Sequence, residues 1–400
     1  MNLDKFVKEH VVERQESLFL RDIEENRQVL GKAIRGKSVL VIGGAGSIGS
    51  SFIKAVLRFE PAKLVVVDLN ENGLAELTRD LRSSVDIKVP SVFLTYTLDF
   101  TDPIMEDIFR DHGAFDIVAN FSAHKHVRSE KDKYSVEALL KNNVIKAKKL
   151  LDLLQIYKPE HFFCVSTDKA ANPVNVMGAS KRVMEDLIMS YKPDFKVTTA
   201  RFANVAFSNG SLPASFFDRM MKNQPLVAPR DVRRYFVSME ESGQICMLAC
   251  ILGHNGEIFF SKLGEEKMKT FSEICDAFIS EMGYKKHECK SDEEAKRYAS
   301  QHLPGDTYPV VYFESDTTGE KDYEEFYVEG EDVDMKRFKS LGVITHTDNK
   351  PREEVEALIE SLDTMFHSRD FTKADVVECL GNYLPNFHHE EKGKNLDDKM

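Results

Sequence analysis

The chain has 400 residues, of which 42% are hydrophobic and 30% charged, and its formal net charge is −12. This composition is typical of an ordinary globular protein with enough material for one to three domains. The acidic balance excludes a general role in nucleic-acid binding, because a phosphate backbone requires a basic face. It leaves room for an anionic ligand in a locally basic cleft.

The N-terminal residues, the lengths of the apolar segments and the cysteines indicate the cellular compartment of the protein. Residues 1–10 contain no apolar stretch of the signal-peptide type, and no segment reaches the roughly 18 apolar residues of a membrane span. The six cysteines form no Cys-x-x-Cys pair and no metal-ligand cluster; they are Cys164, Cys246, Cys250, Cys275, Cys289 and Cys379. We therefore expect a cytoplasmic protein with free thiols, no membrane insertion and no metal site.

Apolar strand-like runs alternate with helical patterns from Ser38 onward. The predicted strands are 38–42, 63–67, 91–95, 116–120, 161–166 and 196–201. The predicted helices between them are 47–59, 71–83, 102–112, 132–155 and 175–190. This alternation predicts an α/β fold with a doubly wound parallel sheet covered on both faces. Because ligands bind beyond the carboxyl ends of such strands, the residues after each strand are the candidates for chemistry.

The first strand leads directly into the glycine-rich run Gly43-Gly-Ala-Gly-Ser-Ile-Gly49. Glycine permits a tight turn and a close approach to a pyrophosphate, and the N-terminus of the following helix supplies unpaired N–H groups. The second strand ends at Asp68, where a dinucleotide site requires an acid for the ribose hydroxyls. Alternatively, Asp68 caps the next helix. Since no arginine follows Asp68 before Arg79, we expect NAD rather than NADP. The predicted cofactor contacts from these two segments are Gly43, Gly46, Ser47, Ile48, Gly49 and Asp68.

Other strand ends extend the candidate site. Leu98-Asp99-Phe100 follows the third strand, Asn120 to Val127 follows the fourth, and Ser166-Thr-Asp-Lys-Ala170 follows the fifth. Thr167, Asp168 and Lys169 bring a hydroxyl, a carboxylate and an amine into one turn, which favours proton transfer over a solvated turn pair. The further candidates for cofactor contact are Asp99, Phe100, Phe121, Ser122 and Asn143.

Met177-Gly-Ala-Ser-Lys181 lies on the helix after this turn. In short-chain dehydrogenases the same helix carries Tyr-x-x-x-Lys, with both side chains on one face. The lysine holds the nicotinamide ribose and lowers the tyrosine pKa, and the phenolate accepts the proton of the alcohol. Methionine cannot act as a base. The chain is therefore either a silent NAD binder or an enzyme in which another group accepts that proton.

The chain resembles the CapD-like polysaccharide-biosynthesis branch of extended short-chain dehydrogenases, and within it the soluble UDP-N-acetylglucosamine 4,6-dehydratases that retain configuration at carbon 5. The matching segments are Gly43–Gly49, Lys125–Val127, Ser166–Ala170, Asn172–Arg182, Arg201–Val205, Arg234–Phe236 and Gly319–Lys321. Met177 is a feature of the retaining subgroup. Departures include Asn120-Phe-Ser-Ala123 in place of His-Ala-Ala-Ala and Arg201-Phe-Ala-Asn204 in place of Arg-Phe-Gly-Asn, which bear on substrate preference more than on the reaction.

The resemblance implies a redox-neutral dehydration of UDP-N-acetylglucosamine with NAD as a cofactor regenerated in every turnover. It implies that Lys181 holds the ribose, that Lys169 is the carbon-5 base and that Asp168 is the acid at the 6-hydroxyl. Thr167 is expected to hydrogen-bond the 4-hydroxyl, whose proton passes to Asp168 or to a water. Met177 shapes the pocket. The expected substrate contacts are Lys125, His126, Asn204, Ser208, Arg234 and Glu320, of which Arg234 would clamp the pyrophosphate.

We expect a Rossmann domain over 36–205 and a smaller UDP-sugar-binding region over 206–345, interleaved with the end of the sheet. An N-terminal helical arm over 1–35, closing helices over 346–387 and a flexible tail over 388–400 complete the prediction. The arm and the resemblance together predict a homo-oligomer of at least two copies. A UDP-sugar epimerase or reductase and a non-catalytic NAD-binding sensor remain alternative functions.

Overall fold

The computed structural model describes residues 1–315 and 325–389, except for the side chains of residues 128 and 129. Its strands are β1 (Ser38–Ile42), β2 (Lys63–Asp68), β3 (Val92–Thr97), β4 (Ile117–Asn120), β5 (His161–Val165), β6 (Val197–Arg201), β7 (Asn204–Val205), β8 (Leu226–Pro229), β9 (Arg233–Arg234), β10 (Phe236–Val237), β11 (Ile258–Ser261), β12 (Lys269–Thr270), β13 (Lys285–Cys289), β14 (Thr307–Phe313), β15 (Asp332–Asp334) and β16 (Leu341–His346).

The α-helices alternate with these strands over most of the chain. They are α1 (Leu3–Phe6), α2 (Leu20–Glu25), α3 (Arg27–Ile34), α4 (Ser47–Leu57), α5 (Glu71–Ser83), α6 (Ile104–His112), α7 (Lys133–Leu140), α8 (Lys146–Ile156), α9 (Val176–Met189), α10 (Leu212–Met221), α11 (Met239–Leu252), α12 (Phe271–Glu281), α13 (Asp292–His302), α14 (Arg352–Ser368) and α15 (Lys373–Tyr383). In this part of the chain no helix is both long and apolar enough to cross a bilayer.

The main sheet has nine strands in the order β15-β16-β11-β6-β5-β4-β1-β2-β3. The run from β3 to β11 is parallel throughout, whereas β16 and β15 join its far edge antiparallel. The chain reverses its direction of winding at β1, which lies between β2 and β4. At such a switch point the loops after the two flanking strands diverge and leave a crevice for a ligand. The predicted doubly wound parallel sheet is therefore confirmed.

The predicted strands and helices of the first half are present, with one interruption. The pattern over 132–155 predicts one helix, but α7 ends at Leu140 and a π turn, Lys141–Ile145, precedes α8. The π turn contains Asn143, whose amide binds the backbone of His124 and the hydroxyl of Ser180. A tertiary contact of this kind has no signature in helical periodicity.

A smaller lobe sits against the carboxyl edge of the main sheet. Its sheet has the order β13-β14-β8, all parallel, and packs against α10 and α12 around a separate apolar cluster. Strand β7, which follows the end of β6, pairs with β10, and β9 pairs with β12. The lobe and the sheet edge enclose the candidate site.

The N-terminal arm packs on both parts of the molecule. Phe6, Val7, Val11 and Val12 are buried in the cluster of the smaller lobe. Arg14 donates two hydrogen bonds to Glu241 at the start of α11, which packs on the main sheet. The arm therefore links the two lobes within one chain.

Candidate active site

The loop after β1 is shaped by close backbone contacts that require glycine. Gly43 has φ +71°, and a Cβ on it would lie 2.7 Å from the backbone nitrogen of Ser122 in the loop after β4. A Cβ on Gly49 would lie 2.3 Å from the carbonyl oxygen of Gly43. Gly46 precedes α4, whose N-terminus has no side-chain cap, so its amide groups and dipole remain available to a phosphate. These features fit a dinucleotide pyrophosphate.

Asp68 is held beside this loop at the end of β2. One carboxylate oxygen accepts the backbone N–H of Ala45 at 2.9 Å, and the other accepts that of Asn70, also at 2.9 Å. The alternative interpretation of Asp68 as a helix cap is wrong, because Asn70 caps α5 by accepting the N–H of Gly73. The carboxylate is thus oriented by the glycine-rich loop itself, as a ribose-binding acid requires.

The remaining predicted cofactor residues occupy different positions. Phe121 and Ile48 line the cavity described below. Asp99 binds Thr101 and forms an ion pair with Lys146, and Phe100 is buried in the core. Ser122 and Asn143 belong to the contacts that fix the loop after β4, since Ser122 donates to Asn120 and Asn143 accepts from His124 at 2.8 Å. Direct contact of these four with a cofactor stays a prediction.

A cavity of about 770 Å³ lies between the carboxyl ends of β4, β5 and β6 and the smaller lobe. Five basic side chains line it, namely Lys125, Lys169, Lys181, Arg219 and Arg234. No aspartate or glutamate belongs to its described lining. In a chain of net charge −12, this concentration of positive charge marks a site for an anionic ligand such as a nucleoside diphosphate.

The turn after β5 brings three reactive groups together at the cavity wall. Thr167 Oγ1 donates to Asp168 Oδ1 at 2.8 Å, and Lys169 Nζ donates to the same oxygen at 3.1 Å. Thr167 and Lys169 line the cavity, whereas Asp168 is 3% exposed and lies outside the lining. Any proton moving between a ligand and the Asp168 carboxylate therefore has a direct path through the Thr167 hydroxyl.

Helix α9 packs closely against this turn. A Cβ on Gly178 would lie 2.6 Å from the carbonyl oxygen of Lys169, so the absence of a side chain there lets the turn and the helix touch. Asn175 caps the helix by accepting the N–H of Gly178. Met177, at the position of the familiar tyrosine, is buried and lines the cavity.

Lys181 lies one turn further along α9 and is 3% exposed. Its ammonium donates to the carbonyl oxygen of Val165 at 2.9 Å. Burial lowers the pKa of this ammonium, and the neighbouring Cys164 and Glu185 side chains oppose that effect only in part. Lys181 therefore lies on the cavity wall and contacts the end of β5, and its binding of a ribose stays a prediction.

A buried charge network supports the turn after β5 on the side away from the cavity. Ser166 donates to Glu185 on α9 at 2.6 Å, and Arg201 at the end of β6 forms a paired contact with the same carboxylate. Burial works to raise the pKa of Glu185, but Arg201 outweighs it and the pKa is lowered. Arg201 also binds Glu331 through two nitrogens. The predicted Arg201–Val205 motif therefore begins with a residue that fixes the geometry of the turn.

All but one of the predicted substrate residues meet in the cavity. Lys125, His126, Asn204, Ser208 and Arg234 belong to its lining. Glu320 and the rest of the Gly319–Lys321 motif lie outside the described residues. The sequence analysis did not name Arg219 on α10 or the lining aromatic residues Phe236, Phe271 and Phe313 as site residues, although Phe236 ends the matching segment Arg234–Phe236. These residues come from four separate segments, and no local motif joins them.

A model of the family described as "Polysaccharide biosynthesis protein" matches residues 39–346. The chain belongs to this family. The match begins with β1 and ends with β16, so it covers the main sheet and the smaller lobe together.

Several relatives in this family are similar to the chain over long stretches. An uncharacterized membrane protein of Methanocaldococcus jannaschii is 29% identical over 88% of this chain and 98% of its own length. The capsular polysaccharide biosynthesis protein CapD of Staphylococcus aureus is 28% identical over 62% of this chain, which corresponds to 42% of CapD. An inverting UDP-N-acetylglucosamine 4,6-dehydratase of Campylobacter jejuni is 26% identical over 58% of this chain and 69% of that enzyme. Such relatives include nucleotide-sugar dehydratases and proteins of polysaccharide biosynthesis.

Solved structures share the fold. Pen from Bacillus thuringiensis has a TM-score of 0.62 at 21% identity, covering 82% of this chain and 98% of that one. The dTDP-glucose 4,6-dehydratase DesIV from Streptomyces venezuelae, solved with NAD bound, has a TM-score of 0.54 at 19% identity, covering 72% and 87%. These structures share the parallel-sheet α/β fold of this chain.

Proposed function

We propose that the protein is an NAD-dependent UDP-N-acetylglucosamine 4,6-dehydratase that retains configuration at carbon 5. The observation that carries this proposal is the Thr167-Asp168-Lys169 turn, whose hydroxyl and side-chain nitrogen both bind one buried carboxylate oxygen at the wall of a basic cavity. When bound, NAD supplies the acceptor for the carbon-4 hydride and the donor that returns it to carbon 6. The chain itself must then carry out four proton transfers.

The first transfer removes the proton of the 4-hydroxyl. Met177 has no group that accepts it, whereas the Thr167 hydroxyl is in contact with the Asp168 carboxylate at 2.8 Å. We assign Thr167 as the relay: it accepts the substrate proton while passing its own proton to Asp168. This assignment leaves Asp168 protonated and ready to act as an acid.

The second and third transfers belong to the elimination, and the fourth accompanies the return of hydride. The new ketone acidifies the hydrogen on carbon 5, and the neutral amine of Lys169 removes it. Protonated Asp168 returns its proton, again through Thr167, to the departing 6-hydroxyl, which leaves as water. Lys169 then gives its proton back to carbon 5 as carbon 6 is reduced. Each group ends in the state in which it began, so the cycle needs no outside acid or base.

The basic lining supports the choice of a sugar nucleotide as substrate. Arg234 and Lys125 are the proposed partners of the pyrophosphate, because cationic donors match the oxygens of phosphate groups. Asn204 and Ser208 are the proposed partners of the sugar-proximal part. Lys181 would hold the nicotinamide ribose. The homo-oligomeric state and the cytoplasmic location stay predictions.

The test is incubation of the purified protein with UDP-N-acetylglucosamine and NAD in the absence of any reductant, followed by mass spectrometry of the sugar nucleotide. The proposal predicts loss of one water. An isomer of unchanged mass would indicate an epimerase, and turnover that requires a stoichiometric reduced cofactor would indicate a reductase. An unaltered substrate with NAD bound would favour the sensor.

A further inference from the structure

The loop between β7 and α10 connects the glycine-rich loop with the wall of the cavity. Asn209 lies in this loop, and its backbone N–H donates to Ser47 Oγ at 2.9 Å. The carbonyl oxygen of the same residue accepts from Lys125 Nζ at 2.8 Å. Ser47 begins α4, and Lys125 lines the cavity. A single residue therefore bridges the proposed cofactor and substrate compartments. We call residues 207–210 the strap.

The strap lies directly on the loop that follows β4. Gly210 has φ +74°, and a Cβ on it would lie 3.0 Å from His126 Nε2. Ser208 is buried and lines the cavity, whereas Asn209 is exposed. The strap thus has one side toward the cavity and one toward solvent, and forms an outer wall of the site.

The strap begins at a residue with an unfavourable backbone conformation. Phe207 has φ +55°, in the left-handed region that bulky side chains rarely adopt. Its ring is buried, and its centroid lies 5.7 Å from that of Phe6 in an edge-to-face arrangement. The ring also contacts those of Phe217 and Phe278. Phe6 belongs to α1, the start of the N-terminal arm. Packing on the arm therefore holds the strap in the conformation that reaches Ser47 and Lys125.

We propose that the strap retains the bound dinucleotide, and that the N-terminal arm sets its residence time through Phe6. The inference rests on the proposed function, because it takes NAD as the ligand of the glycine-rich loop. A redox-neutral reaction leaves NAD in its starting form, so the enzyme has no need to exchange it between turnovers. Weakening either the Phe6 contact or the Asn209 bridge increases the fraction of molecules in which the strap is displaced from Ser47 and Lys125. Release of the dinucleotide is then faster.

The experiment measures release of NADH from the full-length protein by the loss of its fluorescence when excess NAD is added. The test variant is Phe6→Leu, which keeps an apolar side chain but removes the ring edge facing Phe207. We expect release to accelerate about two- to tenfold, the range that one edge-to-face aromatic contact supplies. The matched control is Phe216→Leu, since Phe216 is buried in the same cluster and contacts the ring of Phe278, but has no ring contact with Phe207 within the described residues. We expect the control to release NADH at the wild-type rate.

A second variant, Lys125→Met, removes the donor to the Asn209 carbonyl and leaves the aromatic cluster unchanged. It tests the role of the strap independently if Phe6→Leu does not fold. It is also expected to speed release in the absence of sugar nucleotide. NADH binding with wild-type release from both test variants overturns the strap and leaves the proposed function standing. A wild-type protein that binds no NADH overturns both proposals.

Discussion

The proposed cofactor half and the proposed substrate half of this cleft are built by different means. Around Gly43 and Gly49 the backbone determines the shape of the site, because a side chain at either position would collide with backbone atoms. A side chain on Gly43 would meet the backbone of Ser122 in the loop after β4, and one on Gly49 would meet the carbonyl oxygen of Gly43. Around Lys169 and Arg234 the site depends on positively charged side chains. These side chains come from the ends of several strands and from the smaller lobe. The first half is encoded within one short run of sequence, and the second depends on how the whole chain folds.

This difference predicts which changes will abolish chemistry and which will only weaken binding. The largest effects are expected in the catalytic turn. Lys169→Met and Asp168→Asn should each reduce turnover by about a hundred- to ten-thousand-fold, the usual contribution of a general acid or base. Both should still bind NADH, because neither residue belongs to the glycine-rich loop. Fluorescence titration of NADH beside the activity assay checks this. Loss of NADH binding in either variant would contradict the separation of the cleft into a cofactor half and a substrate half.

Thr167 offers a test of the path between substrate and Asp168. Thr167→Val keeps the shape of the side chain but removes the hydroxyl that donates to Asp168, so turnover should fall by about a hundredfold or more. Thr167→Ser restores the hydroxyl and should recover most of the activity. Equal activity of the valine and serine variants in steady-state kinetics would mean that Asp168 acts without the relay.

Arg234 should show the weaker, binding-type effect of the substrate half. Removal of a buried charged hydrogen-bond donor to a phosphate costs about 1.5–3 kcal/mol, so Arg234→Met should raise KM by about ten- to a hundredfold with a smaller change in kcat. The control is Arg230→Met, because Arg230 is half exposed and pairs with Glu288 outside the cavity. A fall in kcat alone for Arg234→Met would move this residue from substrate binding to the chemical step.

The smallest effect is expected at Asp68, where the backbone already shapes the site. Asp68→Asn should reduce NAD affinity by about tenfold and narrow the preference for NAD over NADP, since the carboxylate that repels a 2′-phosphate is lost. Parallel titrations with the two cofactors measure this. A wild-type protein that binds NADP more tightly than NAD would contradict the role assigned to Asp68.

The same division explains how far the sequence could be interpreted. The parallel sheet was predictable because strand-like and helical patterns alternate regularly along the chain. The glycine-rich loop and the Thr167–Lys169 turn were predictable because each is one short run of sequence. Arg219 and Phe313 were not, because the small sheet that carries Phe313 beside β8 forms by pairing of strands far apart in sequence. The contact of Phe6 with Phe207 is equally remote. The π turn at Asn143 was missed for a related reason, since its cause is a contact with another loop.

The most direct test follows one atom through the reaction. UDP-N-acetylglucosamine labelled with deuterium at carbon 4 would be converted with catalytic NAD, and the product examined by mass spectrometry and NMR. A 4,6-dehydratase that retains its cofactor should give a dehydrated product with the deuterium at carbon 6 of the same sugar. Dehydrated product without the label, or a product that still carries its 6-hydroxyl, would contradict the account.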